Sequence, residues 1–385
     1  METITNLKGN MKNDRSMELN CMDDSDEMLD EFSVNKVKIQ VIGIGGGGTN
    51  SINRTMINGL LNEEKLKDSH IEVWALNTDA QDLNKKTTNH QGLRIPYLKR
   101  MLLGKESQRG MGTGGDPEIG KCCAEEDRAR IIENFNGTDI AIITASLGGG
   151  TGSGAAPKIA EYLKQVKGSF GKPPIVISIA TLPFSAEGSS RDVALEAYEQ
   201  LNKHCDTVIL IQNDEITKKF GKMFIQNAFK NVDVIISKFI QGITDTLSHV
   251  GVINIDFADM ERILEHGGMS VIGVGCGKGH NRLEDAINES FNNVLFDVDY
   301  KAAGAVLINV IGGYDLKLKE AIDAGEKIVK RAKGSVDIIW GVTLDERYQD
   351  RVDIITAFTG VTPPSHIANK TPKESISNPQ SWNIC

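Results

Sequence analysis

Two hydrophobic rhythms run along this chain. Val37 to Ile42, where Val37, Ile39 and Val41 alternate with polar residues, and short, nearly continuous apolar runs at Ile71 to Leu76, Ile140 to Ile143, Ile175 to Ala180 and Thr207 to Ile211 read as strands. Between them apolar residues recur every three or four positions, as in Ile52, Met56, Leu60 and Leu61, or Ile159 and Leu163. That is the period of a helix with one buried stripe. Strands apolar on both faces, alternating with helices over 37–213, predict a parallel sheet covered on both sides. From Phe224 to His249 the helical period continues through Phe229, Val232, Ile236, Phe239, Ile240, Ile243 and Leu247. A helix of that length extends ~39 Å, and it is apolar enough to pack on two sides.

A second pattern follows. Met269 to Gly275, Ala303 to Val310, Val336 to Val342 and Val352 to Thr359 read as strands, with amphipathic helices at Leu283 to Phe291 and Leu316 to Val329. The two ends lack any such period. Residues 1–36 carry the acidic run Asp23-Asp24-Ser25-Asp26-Glu27, and four of the ten prolines fall after residue 362, so both ends are expected to be disordered. The expected fold class is α/β. A Rossmann-like parallel-sheet domain (37–223) is joined by a long central helix (224–249) to a smaller α+β domain (250–362), between arms at 1–36 and 363–385.

Glycine gives this fold a candidate chemistry. Of 39 glycines, fifteen fall in 43–48, 110–120 and 148–154. The last of these stretches holds Gly148, Gly149, Gly150, Gly152 and Gly154 with the hydroxyls of Thr151 and Ser153, between a strand and a helix. Such a loop leaves backbone N–H groups unpaired with a helix dipole behind them, the arrangement that holds anionic oxygen. Gly45, Gly46, Gly47, Gly48, Thr49 and Asn50 form a similar strand–turn–helix unit. With Gly43 it satisfies G-x-G-x-x-G, but a dinucleotide site also wants an acid about 20 residues on, at the end of a second strand. That strand ends instead in Asn77-Thr78-Asp79-Ala80. The middle stretch contains Gly115 to Cys122, close to a Walker A loop. Cys122 stands where the magnesium-binding hydroxyl belongs and no strand immediately precedes it, so Asp116 as N-cap and Pro117 behind it predict a helix start.

The wording of these loops is also familiar. Gly149-Gly150-Thr151-Gly152-Ser153-Gly154 resembles the signature loop of the tubulin/FtsZ family of self-assembling GTPases. The Asn77-Thr78-Asp79 turn, the loop Arg109 to Pro117 and the pattern Pro183-Phe184-x-x-Glu187-Gly188-x-x-Arg191 are similar to that family in the same order. Gly251 to Met260 resembles the FtsZ synergy loop, and Ile338-Ile339-Trp340-Gly341 the last FtsZ domain, particularly in archaeal forms. The likeness covers about residues 37–362. The family usually has alanine where Gly47 stands and a second asparagine where Thr49 stands.

The resemblance implies a GTP- and GDP-binding protein that hydrolyses GTP, with Mg²⁺ at the phosphates and no protein metal ligand assigned. Gly45 to Gly48, Asn50, Asn77, Asp79, Gly114 and Gly148 to Gly154 would surround the nucleotide. Glu187 and Arg191 would contact its ribose and phosphate side. Phe229 would cover the guanine face, Asp233 would accept from the ring N–H and amino group, and Asn213 would meet the base edge. Asn254, Asp256 and Asp259 would complete catalysis on a neighbouring subunit's nucleotide, in head-to-tail protofilaments of a cell-division ring. On the residues alone, Asp256 and Asp259 read as a capped helix start. Likewise Glu187 and Arg191 suit an i,i+4 helix pair worth ~0.5 kcal/mol or less, and Phe229 suits core packing.

Charge and composition narrow the partners. A net charge of −9 with no basic run argues against nucleic acid. No apolar run is long enough to cross a bilayer and no signal-peptide pattern opens the chain, so a cytoplasmic protein without direct membrane insertion is expected, located at mid-cell if the resemblance holds. Membrane-tethering division proteins would then bind the tail or the C-terminal domain, although no tethering peptide is legible and Trp382 and Ile384 read either as a short docking tip or as simply exposed. Six scattered cysteines predict reduced thiols. Two other classes stay open on the sequence: a non-hydrolysing polymerising paralogue, disfavoured by the intact Asp256 and Asp259, and a dinucleotide-binding oxidoreductase, disfavoured by the missing ribose acid.

Overall fold

The computed structural model describes residues 37–57, 66, 70–89, 91–248, 257–264, 267–296, 303–332 and 337–362. Strand β1 (Ile39–Ile44) runs straight into α1 (Gly45–Ile57), and β2 (Ile71–Asn77) leads to α2 (Ala80–Lys86). After β3 (Leu98–Leu102) come α3 (Pro117–Glu126), α4 (Arg128–Phe135), β4 (Ile140–Ser146) and α5 (Gly150–Leu163). Next are β5 (Ile175–Leu182), α6 (Gly188–His204), β6 (Thr207–Gln212) and α7 (Asn213–Phe220). The long α8 (Ile225–Ser248) and α9 (Phe257–Leu264) precede β7 (Met269–Lys278), α10 (Arg282–Asn292) and β8 (Ala305–Gly312). The described elements end with α11 (Leu318–Ala332), β9 (Asp337–Leu344) and β10 (Arg351–Thr359).

The strands form one sheet in the order β3-β2-β1-β4-β5-β6-β7-β10-β8-β9. From β3 to β7 every pairing is parallel, with Ile39 of β1 opposite both Ile71 and Ile140. The β6–β7 joint is short, with Val208 opposite Met269 and Ile209 opposite Ser270. Beyond it β10 runs antiparallel to β7 and β8, and β9 is parallel to β8. The parallel strands therefore deliver their C-terminal ends, and the glycine loops that follow them, to one edge of the sheet. Open α/β sheets bind ligands there.

The two faces of the sheet follow from the period of two in a strand. Ile42 and Ile44 of β1 pack with Ala155, Ala156, Ile159 and Leu163 of α5 on one face. Ile39 and Val41 belong to the other face, with Val232, Ile236, Phe239, Ile240 and Ile243 of α8.

Two features depart from the sequence reading. Helices α1 and α5 begin at Gly45 and Gly150, so glycines read as loop form the first helical turns. Strand β3 went unpredicted because it is an edge strand, with only Met101 buried and Lys99 exposed. Cys123, Cys205 and Cys276 are free thiols. The Walker-like stretch is a helix start: Asp116 caps α3 by accepting from the Glu118 N–H at 2.9 Å, with Pro117 at the first helical position. No described helix is long and apolar enough to cross a membrane.

Candidate functional site

Two helix N-termini meet at the C-terminal edge of the sheet. Gly45 opens α1 at a φ of 70°, a conformation that favours glycine, and a β-carbon there would lie 3.1 Å from the Gly152 nitrogen. Gly149 caps α5 with no side-chain hydrogen bond, and neither helix has an acidic residue in its first turn. The first amides of both helices thus lack helical partners and carry the positive end of the dipole. By contrast α2, α3 and α7 carry Asp82, Glu118, and Asp214 with Glu215, in their first turns.

Glycine is required here by contact as well as by φ. A β-carbon at Gly48 would lie 2.1 Å from the Thr144 carbonyl oxygen, at Gly150 2.2 Å from Thr113 Oγ1, and at Gly154 1.9 Å from the Pro117 carbonyl oxygen. Beside Gly46 lie Lys86 Nζ and Asp82 Oδ2, whereas Gly114 and Gly149 face open space. Gly148, at a φ of 96°, brings the signature loop against Ser190 and Pro183 at the start of α6.

The hydroxyls and the acids of the loops tie them together. Thr151 Oγ1 lies 2.7 Å from Thr78 Oγ1, both buried, joining the signature loop to the β2–α2 turn. Ser153 Oγ accepts from the Gly148 N–H at 2.8 Å. Asp79 caps α2 by accepting from the Asp82 N–H at 2.9 Å, while Asn77 donates to Asp82 at 2.8 Å and accepts from the Thr78 N–H at 2.9 Å. The third glycine loop pairs with this turn, the Ala80 N–H donating to the Gly110 carbonyl at 3.0 Å and Gly112 to Thr78 at 3.2 Å. Asn50 lies half-buried on α1, next to Thr49, whose buried Oγ1 has no hydrogen-bond partner among the described residues. A cradle too tight for side chains, two helix ends without acids and an orphaned hydroxyl fit a phosphate chain.

Glu187 and Arg191 are not paired with each other. The Glu187 carboxylate accepts from the Phe184 N–H at 2.9 Å, and Arg191 reaches Asp214 at 3.5 Å and the Pro183 carbonyl at 3.3 Å. Asp214 also accepts from the Ser185 N–H at 3.1 Å and from Gln212 at 3.0 Å, so it fastens the β5–α6 loop. Burial works to raise its pKa, but the Ser185 and Gln212 hydrogen bonds and the Arg191 charge hold it below the ordinary value. Asn213, the first residue of α7, stands next to it.

Phe229 and Asp233 lie one turn apart on α8. Phe229 is half-buried and meets Phe184 edge-on, with ring centroids 6.5 Å apart. Asp233 accepts from Ser51 at 3.2 Å and is ion-paired with Arg54. One turn further, Thr55 and Ser237 hydroxyls lie 2.7 Å apart. A polar seam thus runs between α1 and α8, and the sequence reading missed its members Ser51 and Thr55. Arg54, Thr78, Thr113 and Asp214 were missed, since their partners are distant in sequence.

Asn254 and Asp256 lie outside the described residues. Asp259 stands in the first turn of α9, 3.6 Å from Arg262. Phe257 of that helix stacks on Phe170 at 5.4 Å, and Glu261 pairs with Lys172 at 3.1 Å. Phe170 and Lys172 precede β5, whereas the loops described above follow strand C-termini, so α9 sits at the opposite edge of the sheet. Eight residues of β5 separate the two edges by ~26 Å. The structure does not bring Asp259 to the glycine loops of its own chain. Among the described residues no group of three His, Cys, Asp or Glu suits a metal ion.

Residues 38–221 match the GTPase domain of the tubulin/FtsZ family, and residues 268–362 match the FtsZ family C-terminal domain. The cell division protein FtsZ 1 of Thermococcus kodakarensis is 36% identical over 355 residues, covering 92% of this chain and 89% of the relative. The chain belongs to the FtsZ family. FtsZ 2 of Methanocaldococcus jannaschii is likewise 36% identical over 352 residues, 91% of this chain and 86% of that protein. The solved empty FtsZ dimer of M. jannaschii has a TM-score of 0.74 at 32% identity, covering 89% of this chain and 92% of that one. This FtsZ-family chain thus has a GTPase domain over residues 38–221, and neither the paralogue nor the oxidoreductase reading is favoured.

Proposed function

We propose that the chain binds GTP at the C-terminal edge of its sheet, hydrolyses it with help from a second copy, and assembles head-to-tail into protofilaments that serve cell division. The observation that carries this reading is the separation of Asp259 from the glycine loops across the width of the sheet. If both ends act in hydrolysis, they act on different nucleotides, and a contact between unlike ends that does not close produces a filament. The 37–223 unit would be the nucleotide domain, α8 the central helix and 250–362 the domain that brings the acids.

In this mechanism the first-turn amides of α1 and α5 hold the phosphate oxygens and draw off the charge that develops during phosphoryl transfer. Mg²⁺, when bound, would neutralise phosphate charge. Most of its ligands would be phosphate oxygens and water, and Asp79, with Oδ1 spent on capping α2, has a second oxygen to offer. Asp233 accepts from the guanine N–H groups once Arg54 turns out toward solvent, Asn213 meets the base edge, and Phe229 with Phe184 lies against the ring. Asp256 and Asp259 of the next subunit orient the attacking water, with Asn254 beside them. Membrane-tethering division proteins at the tail or C-terminal domain, and a cytoplasmic ring at mid-cell, belong to the same proposal.

The test is phosphate release from GTP as a function of protein concentration, followed together with light scattering. Release per subunit should rise steeply where scattering begins. A rate per subunit that stays constant down to concentrations with no scattering would contradict the reading.

A further inference from the structure

Ser146, the last residue of β4, occupies the seam between the two helix N-termini. A β-carbon added at Gly47 in α1 would lie 1.8 Å from its Oγ, 2.4 Å from its Cβ and 3.6 Å from its Cα. A β-carbon added at Gly152 in α5 would lie 2.1 Å from its carbonyl oxygen. The side chain of Ser146 therefore meets the first turn of one helix and its backbone the first turn of the other. Across the sheet, Thr181 donates to Ser146 Oγ at 2.8 Å, and the Leu147 N–H donates to the Thr181 carbonyl at 2.9 Å. With Oγ accepting from Thr181, the serine still has its own proton to donate. Ser146 is half-buried, so that proton is neither sealed in the core nor free in bulk water.

We propose that Ser146 is a hydroxyl of the phosphate site, seated in the space beside Gly47 and oriented by Thr181 so that it donates to a phosphate oxygen of the bound nucleotide. The inference rests on the GTP-binding reading above. It makes Gly47 and Ser146 one unit: the volume beside the first turn of α1 holds either a side chain at 47 or one at 146. Ser146→Ala keeps the β-carbon and removes only the donor. Ser146→Gly empties the space and leaves the nearest atom at the Cα distance of 3.6 Å, an ordinary contact.

The experiment is binding of GTP, GDP and guanosine to the full chain and four variants, with thermal unfolding run alongside. Ser146→Ala should melt with the parent, bind guanosine as the parent does, and bind GTP and GDP about ten-fold more weakly, the factor carried by one hydrogen bond to a charged group. Gly47→Ala should lose nucleotide binding or stability. Gly47→Ala with Ser146→Ala should not recover, because the serine β-carbon position at 2.4 Å remains filled, whereas Gly47→Ala with Ser146→Gly should recover most GTP binding lost by Gly47→Ala. GTP affinity of Ser146→Ala equal to the parent's overturns the hydroxyl's role, and parental GTP binding by Gly47→Ala alone overturns the coupling. A parent chain that binds no GTP overturns the functional reading and this inference together, so the two failures are distinguishable.

Discussion

At the scale of single residues, Asp233 is the sharpest case. Its carboxylate is engaged by Ser51 and Arg54 on α1, and the same two oxygens are what a guanine N1–H and amino group require. Asp233→Asn exchanges an acceptor for a donor, so it should weaken GTP by ~1–3 kcal/mol and improve xanthosine triphosphate, whose ring presents the opposite pattern. Equilibrium titration with both nucleotides reads this directly, and unchanged GTP affinity in the folded variant would mean that Asp233 does not read the base. Asp233 itself was reached through the family resemblance, but Arg54 was not, because its partner lies far along the chain. Gly47 was similar. The sequence has glycine where the family usually has alanine, and only the fold reveals Ser146 pressed against that position.

At the scale of elements, α8 carries a buried ion cluster that the apolar pattern conceals. Lys238 reaches Asp353 of β10 at 2.9 Å, and Arg351 holds the same carboxylate through two bonds of 2.8 Å. Burial works to raise the Asp353 pKa, but the hydrogen bond from Arg351 and the Lys238 charge outweigh it and hold the carboxyl below its ordinary 3.8. A depressed carboxyl contributes stability above its unfolded pKa and loses it as pH falls through the lower, folded value. Asp353→Ala leaves two cations facing an emptied site, so it should cost about 3–5 kcal/mol at neutral pH. The gap in melting temperature between parent and variant should hold from pH 7 to 5 and narrow only below about pH 4. A gap that closes nearer neutrality would assign the stability to another group. The helices and strands themselves were largely legible, since burial on two faces leaves a clear period. What escaped were the polar ties between them and the edge strand β3, where exposure erases the apolar pattern.

For the whole molecule, the central claim is that one chain supplies a phosphate cradle at one edge of its sheet and acids at the other, and that a second copy unites them. The parallel order of the sheet and the cluster of glycine loops were readable from sequence. Their placement at opposite edges from α9 rests on Phe257 against Phe170 and Glu261 against Lys172, contacts between residues 87 or more apart that no local pattern encodes. The most direct test mixes two defective proteins. Asp259→Ala keeps the cradle and loses an acid. Gly149→Trp keeps the acids and covers the cradle from a position with extended backbone and open space around it, so the fold is spared. Each alone should release phosphate from GTP slowly. Mixed in equal amounts they should release it faster than the sum of the two, because some contacts then join an open cradle to intact acids. Release equal to that sum, together with a parental rate from Asp259→Ala by itself, would contradict the shared site and leave Asp259 as part of a helix start.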